Sequence, residues 1–286
     1  MNLLLIGGDR RQYYMAKFLS SKGFAVSYFG ELFFGGVSVK EIRKKEKLFE
    51  ELDKGMYDCV VLPIPVGADA IKGCLGKLHM RELVKHLTKV KRIYGGVIPN
   101  AVYGLTNAPQ VIDLMRQEDV MLENAALTAE NALMEAVLIS DRSVLGSESL
   151  VIGYGRCGQM LVDRLKGLRA NVTVAEIDRA KKSLAKSYGV KTTEVTSLQG
   201  YDFIFQTAPG YEMDKKLLMT CLAEDDDMPV IIDISSNSDA DVDYARSIGI
   251  LMKKCSGLPG RYTPKTAGWM LGTYIWEKEM HDGFCG

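Results

Sequence analysis

The stretch SLVIGYGRCGQM puts Gly153, Gly155 and Gly158 in the spacing G-x-G-x-x-G, directly after an apolar run and at the mouth of a helical one. Each glycine has a mechanical task in such a turn: the first makes the tight bend, the second lets backbone approach a pyrophosphate, and the third lets helix and strand pack closely. The open N–H groups of the helix start, with the helix dipole behind them, then receive phosphate oxygens. A chain built on this turn is committed to a strand, a crossover helix and a second parallel strand, and NVTVAEID supplies that second strand with Glu176 at its end. An acid there accepts a hydrogen bond from a free ribose 2′-hydroxyl and repels a 2′-phosphate, which favours NAD. Arg179, Lys181 and Lys182 follow closely and point the other way, as cations for the phosphate of NADP, or belong only to a solvated helix start. The cofactor is read as NAD or NADP. Arg156 and Cys157 open the helix behind the turn, where the dipole would lower a thiol pKa. Cys157 otherwise reads as an inert thiol.

Short β-rich runs alternate with helical stretches along the whole chain, the pattern of an α/β protein with two doubly wound parallel-sheet domains. At 286 residues there is room for two cores. Residues 1–124 read as a flavodoxin-like unit: strand Asn2 to Ile6, helix Arg11 to Lys22, strand Ala25 to Phe29, and a charged helix through VKEIRKKEKLFEELDKG. Strand DCVVLP, a loop, helix KLHMRELVKHLTK, strand KRIYGGV, helix APQVIDLMRQ and strand DVMLEN complete it. Residues 125–144 read as a linker helix burying Leu127, Leu133, Met134, Val137 and Leu138 on one face. Residues 145–258 carry the glycine turn as a Rossmann domain, and 259–286 end in an amphipathic helix offering Trp269, Met270, Tyr274 and Trp276 for packing.

Lys+Arg and Asp+Glu balance at 36 each, so no basic excess points to nucleic acid. Apolar runs such as CVVLPIPV are too short to span a bilayer, and no charged leader precedes the strand at Asn2, so the expectation is a cytoplasmic protein with no membrane partner. The six cysteines stand singly with no C-x-x-C, which reads as reduced thiols and no metal.

Two further strand ends belong to the cofactor side. QTAPGYE places Thr207, Ala208 and Pro209, and DISSNSD places Asp233 and Ser235, where doubly wound sheets keep their ligands. The serines serve equally well as helix caps. The first turn, IGGDRRQ, lacks the fingerprint spacing. It offers Asp9 as a cap with Arg10, Arg11 and Gln12 behind it, cationic and amide donors at a helix start that suit a carboxylate. The first domain therefore reads as the substrate side, with solvated arginines as the plainer alternative.

Taken together, GGDRRQ, TAENALMEA, VIGYGRCGQ, IIDISS and above all SGLPGRYTPKTAGWMLG resemble the dipicolinate synthase A-subunit family, the dehydrogenase-like subunit of a sporulation enzyme, over nearly the whole length. The resemblance implies a formate-dehydrogenase-like arrangement whose terminal helix returns to the first domain, a nicotinamide cofactor, a dihydrodipicolinate-derived dicarboxylate substrate, a B-subunit partner and a homo-oligomer. It also implies that Lys265 and Thr266 of PKTAG line the site. Glu176 and Ile177 depart from the small residue and arginine of NADP-using members, and Asn237 stands where an arginine is expected.

Oxidation of a dihydropyridine dicarboxylate needs little base, because aromatisation drives it, and the chain has only three histidines. That scarcity argues against a hydroxyacid dehydrogenase. The candidate residues are Arg10, Arg11, Arg261 and Lys265 for carboxylates, with Thr128 and Glu130 on the linker helix. Glu130 serves as a base if burial raises its pKa, and otherwise is a solvated helix carboxylate. Another amino- or keto-acid oxidoreductase, or a silent nucleotide-binding subunit that regulates a partner, are the competing functions.

Overall fold

The computed structural model describes residues 1–35, 37–67, 69–105, 109–221, 228–236 and 241–283. It divides into two compact units, Met1–Glu123 together with Thr263–Gly286, and Asn124–Tyr262.

The first unit runs β1 (Asn2–Ile6), α1 (Arg10–Ser21), β2 (Ala25–Phe29), β3 (Val39–Ile42), α2 (Lys45–Asp53), β4 (Cys59–Val61), α3 (Met80–Leu83), β5 (Arg92–Gly95), α4 (Asn100–Tyr103) and β6 (Gln110–Asp113), then enters α5 (Glu118–Ile139). Its sheet has the order β3-β2-β1-β4-β5-β6, and every pairing is parallel. Helices on both faces bury the central strand completely, which is why Leu3, Leu4, Leu5 and Ile6 form an unbroken apolar run rather than an alternating one. Without the edge strand β3, the order is the 2-1-3-4-5 of flavodoxin.

The stretch KLHMRELVKHLTK holds only the short α3 and a 3₁₀ turn at Val84–His86, Asn100–Tyr103 is an added helix, and two larger differences from the sequence reading follow. The charged helix starts later than expected, because Val39–Ile42 pairs with β2 and Ile42 is buried in the core. Further on, the order of helix and strand is reversed. Gln110–Asp113 is the edge strand β6, with a 3₁₀ turn at Leu114–Arg116, and DVMLEN belongs to α5. The reason lies in Asp113, whose carboxylate accepts the Met115 N–H and ends the strand in a turn, while Glu118 and Asp119 favour a helix start just beyond.

The second unit continues with β7 (Glu148–Ile152), α6 (Arg156–Gly167), β8 (Asn171–Ala175), α7 (Arg179–Ser187), β9 (Lys191–Thr193), β10 (Phe203–Gln206), α8 (Lys215–Met219), β11 (Val230–Asp233), α9 (Val242–Ser247), β12 (Leu251–Lys254) and α10 (Leu258–Tyr262). Its parallel sheet, β12-β11-β10-β7-β8-β9, is the 3-2-1-4-5-6 order of a Rossmann domain read from β9. α5 buries Ala129, Ala132 and Ala136 in this core, while Val137 and Leu138 are exposed. Of the expected face, Leu133 does pack against this core and Val137 and Leu138 do not, while the fully buried apolar positions are the three alanines.

The last helix, α11 (Pro264–Gly283), packs on α1 in the first unit. Proline at its first position suits a helix start, where no N–H is needed. Leu271 and Ile275 are buried in the core around β1, with Met270, Tyr274 and Trp276 partly buried beside them. A Cβ on Gly268 would stand 2.5 Å from the Arg11 carbonyl, so the glycine of KTAG is what lets the two helices meet. Among the described residues no helix is long and apolar enough to cross a membrane.

Candidate active site

In the second unit the glycine turn lies at the carboxyl end of β7, beside the end of β10, where the strand order reverses. Gly153 has a φ of +93°, a conformation that side chains rarely adopt, and a Cβ there would meet Thr207 Oγ1 at 2.9 Å. A Cβ on Gly158 would stand 2.1 Å from the Gly153 carbonyl oxygen. At Gly155, by contrast, nothing lies within 4 Å. Two glycines are thus closed by packing and the middle one faces open space, which is the arrangement a pyrophosphate requires. Gly155 is the N-cap of α6, so the cap itself brings no side chain to the place in front of the helix. The residues present fit a dinucleotide.

The surrounding strand ends are held from within. Thr207 Oγ1 donates to the carbonyls of Ile152 at 2.9 Å and Gly153 at 3.2 Å. Ser235 Oγ donates to Asp233 Oδ1 at 2.7 Å, and its N–H reaches the same oxygen at 2.9 Å. These two hydroxyl protons are spent on the chain's own acceptors and hold the shape of the two strand-end loops. Buried Gln206 bonds the carbonyls of Ala208 and Tyr211, leaving Pro209 exposed on the loop. Asn237 lies outside the described residues. Arg156 is exposed at the helix start. Burial pushes the Cys157 thiol pKa up against the charge of Arg156, so the expectation that the helix dipole lowers it fails.

Glu176 is tied to the turn. Its Oε2 accepts the Tyr154 N–H at 2.8 Å, and its Oε1 accepts those of Ile177 at 2.8 Å and Asp178 at 2.9 Å. Partial burial works to raise its pKa, but the three backbone donors and Lys181 outweigh it and hold the carboxyl below its usual range. Arg179 is exposed at the start of α7, and Lys182 pairs with Glu194 at 3.5 Å.

On α5, Glu130 is exposed, so the burial needed to make it a base is missing. Thr128 donates its hydroxyl to the Asn124 carbonyl one turn back. The buried acid of this helix is Glu135, which sequence reasoning passed over. It accepts from Lys253 Nζ at 2.5 Å and from the Tyr262 hydroxyl, with Arg261 3.5 Å away. Arg261 therefore belongs with the second unit, not with the returning C-terminal segment, and has a carboxylate partner there.

In the first unit the turn after β1 is closed to nucleotide. The Gly8 N–H donates to the Lys72 carbonyl at 2.7 Å, and a Cβ on Gly73 would stand 2.0 Å from the Gly8 carbonyl oxygen. Backbone from the loop behind β4 thus covers the place a pyrophosphate would take. Asp9 caps α1 and grips Arg11 through both oxygens, Nε to Oδ1 at 2.9 Å and Nη2 to Oδ2 at 2.7 Å, while Nη2 also donates to the Ile64 carbonyl. Arg11 is buried and committed to structure, which corrects its reading as a substrate ligand. Arg10 is exposed and, like the exposed Lys72 of the covering loop, makes no ion pair among the described residues. Sequence reasoning missed Lys72 because it lies far from Arg10 along the chain; the Gly8–Lys72 bond brings its backbone to the same turn. Lys265 and Thr266 are exposed at the start of α11, with Lys265 Nζ 4.9 Å from the centre of the Trp269 ring. Val97, exposed with a φ of +55°, is held by the buried Asp113 carboxylate and marks a strained loop behind β5.

Comparison with known proteins agrees with this layout. Residues 2–115 match the family described as the N-terminal domain of the dipicolinate synthase A-subunit. The dipicolinate synthase A-subunit of Bacillus subtilis (strain 168) is 25% identical over 292 residues, covering 96% of this chain and 94% of that protein. Residues 2–115 thus carry the N-terminal domain of that family, and the likeness to its A-subunit runs nearly the whole length of the chain. The crystal structure of the A-subunit from Bacillus halodurans shares the fold, with a TM-score of 0.81 at 23% identity and 96% of each chain covered. A D-lactate dehydrogenase from Treponema pallidum superposes at a TM-score of 0.58 and 14% identity, covering 99% of this chain and 97% of that one. The family match spans the closed first turn, Arg10 and the loop bearing Lys72, whereas the glycine cradle lies outside it.

Proposed function

We propose that the chain is the dehydrogenase subunit of a sporulation dipicolinate synthase, oxidising dihydrodipicolinate or its hydroxylated precursor to dipicolinate with a nicotinamide dinucleotide, in company with a B-subunit. The observation that carries the reading is the pair of glycine turns. One is packed shut around an open Gly155, and the other is sealed by the Lys72 carbonyl, so a single turn is built for a pyrophosphate. A nicotinamide held by the cradle of Gly153, Gly155 and Gly158 would supply the hydride acceptor for oxidation of the dihydropyridine ring, with the accompanying proton lost to solvent and, from the hydroxylated precursor, one water lost as well.

The chain's own residues bind and orient. The cradle receives the pyrophosphate, and Glu176 faces the adenine ribose. Arg10, Lys72, Lys265 and Thr266 of the first unit supply cations and a hydroxyl for a dicarboxylate. An exposed Glu130 suits a reaction whose driving force is aromatisation and which asks little of a base.

The test is to incubate the protein, with and without its B-subunit, with dihydrodipicolinate and NAD or NADP, and to follow dipicolinate absorbance. Cofactor-dependent formation above spontaneous oxidation is expected. Its absence in every arm would overturn the proposal.

A further inference from the structure

Trp269 is 44% exposed, although the helix that carries it buries Leu271 and Ile275 and partly buries Trp276. A large aromatic side chain left open on such a helix is doing something other than core packing. Its neighbour is Lys265, whose Nζ lies 4.9 Å from the ring centre. Lysine carries a compact charge on a flexible four-carbon stem. Lys40 and Lys253 are held by the buried carboxylates of Glu51 and Glu135, which also neutralise them. An aromatic ring holds an ammonium without cancelling its charge. Lys265 makes no ion pair among the described residues, so its charge stays available.

The register of α11 on α1 fixes where that charge stands. A Cβ on Gly268 would meet the Arg11 carbonyl and the Tyr14 Cβ, and one on Gly272 would meet Phe18 and Met15. Further on, Lys22 Nζ lies 4.5 Å from the centre of the Trp276 ring. Contacts that ascend together in both helices mean that α1 and α11 run parallel, with their first turns at the same end. Lys265 precedes Gly268 by about one turn on the same side of the helix, level with the first turn of α1, where Arg10 is exposed without an ion pair among the described residues. Both helices belong to the first unit. Closely packed helices lie about 8 Å apart, a span that the two carboxylates of one small ring can bridge.

We propose that Trp269 is a positioning residue: its ring keeps the Lys265 ammonium beside Arg10, and the two cations clamp the two carboxylates of a small dicarboxylate on the first unit, with or without dinucleotide. The proposal rests on the dicarboxylate reading above and deepens it. The same pair of helices contains its own control, because Lys22 also lies over a ring, that of Trp276, but at the far end of α1.

The probe is dipicolinate, titrated calorimetrically into the purified chain with no dinucleotide present. Lys265→Ala should weaken its binding roughly tenfold. Trp269→Leu keeps the charge but removes the ring, and should weaken binding roughly fivefold. Trp269→Phe keeps a ring and should stay within about twofold of the unaltered protein. Because Trp269 acts through Lys265, Trp269→Leu should have no further effect in a Lys265→Ala background. Lys22→Ala should leave binding unchanged. In turnover, Trp269→Leu should raise KM and leave kcat nearly unchanged.

The inference fails if Trp269→Leu binds dipicolinate as the unaltered protein does, if its loss persists in the Lys265→Ala background, or if Trp269→Phe is no better than Trp269→Leu. Trp269→Met takes the place of the leucine variant should that one not fold. Turnover of dihydrodipicolinate by a protein that does not bind dipicolinate without dinucleotide would overturn the clamp and leave the reaction standing. The expected binding series beside a silent turnover assay would count against the reaction and leave the clamp, and the absence of both would overturn both.

Discussion

Arg10 and Arg11 are neighbours in sequence with opposite fates. Arg11 turns inward to Asp9 and the Ile64 carbonyl, and Arg10 remains exposed without an ion pair among the described residues. Arg11→Ala should therefore destabilise the protein by about 1–2 kcal/mol, the cost of removing a buried guanidinium from the half-exposed Asp9 carboxylate and the Ile64 carbonyl. Arg10→Ala should leave stability within about 0.5 kcal/mol and raise the KM for the dicarboxylate. Chemical denaturation and steady-state kinetics on the two variants check this, and a drop in stability with Arg10→Ala would show that its charge is structural. The glycines divide in the same way. Gly155→Ala meets no atom within 4 Å, so it should fold normally but lose dinucleotide affinity about tenfold or more, because the added methyl enters the space of the pyrophosphate. Gly158→Ala drives a Cβ into the Gly153 carbonyl and should lower stability as well, which thermal unfolding would register.

At the scale of elements, α5 and α11 are each placed by a few contacts that their hydrophobic patterns conceal. Glu135 anchors α5 to β12 and α10 through Lys253 and Tyr262, and these partners outweigh burial to hold its carboxyl below the usual 4.5. A folded-state pKa below the unfolded one means the stabilisation is complete above about pH 5 and is lost as pH falls through the folded value. Glu135→Gln should cost on the order of 2 kcal/mol near neutrality, and the gap to the unaltered protein should close in acid. Urea titrations at several pH values test it, and a gap constant with pH would remove the ion pair from the account. For α11, Gly268→Ala should destabilise more than Gly272→Ala. The first Cβ meets backbone, the Arg11 carbonyl at 2.5 Å, and the second meets the edge of the Phe18 ring at 2.8 Å, which can turn aside. Hydrogen exchange along α11 is the direct measure.

At the scale of the molecule, each unit has its own sheet and its own buried clusters. A ligand that binds one folded unit stabilises that unit by mass action, about 2.7 kcal/mol at a hundred times its dissociation constant. Dinucleotide should therefore protect the cradle segment 150–160 from hydrogen exchange more than β1 and β2, whereas Arg11→Ala should weaken β1 and α1 first. Equal protection everywhere would show that the two units unfold as one.

Much of this was legible in the sequence, because the forces that place parallel strands and glycine turns act over a few residues. The G-x-G-x-x-G spacing, the apolar run of β1 and the acid closing β8 each declare their roles locally. The errors share a physical cause. VIDL and DVMLEN exchanged helix and strand because short apolar runs satisfy both periods, and pairing with β5 and the Asp113 turn decided between them. In the second core α5 buries Ala129, Ala132 and Ala136 with Leu133 beside them and leaves Val137 and Leu138 exposed, because the surface it meets, not its own apolar period, selects the face. The composition and local pattern by themselves determined an α/β protein with one nucleotide turn. Only tertiary structure decided that Lys72 seals the other turn, that Arg11 is spent on Asp9 and Ile64, and that Glu176 bridges two segments. Those outcomes depend on groups distant in the chain meeting in space, and no local spacing encodes such a meeting.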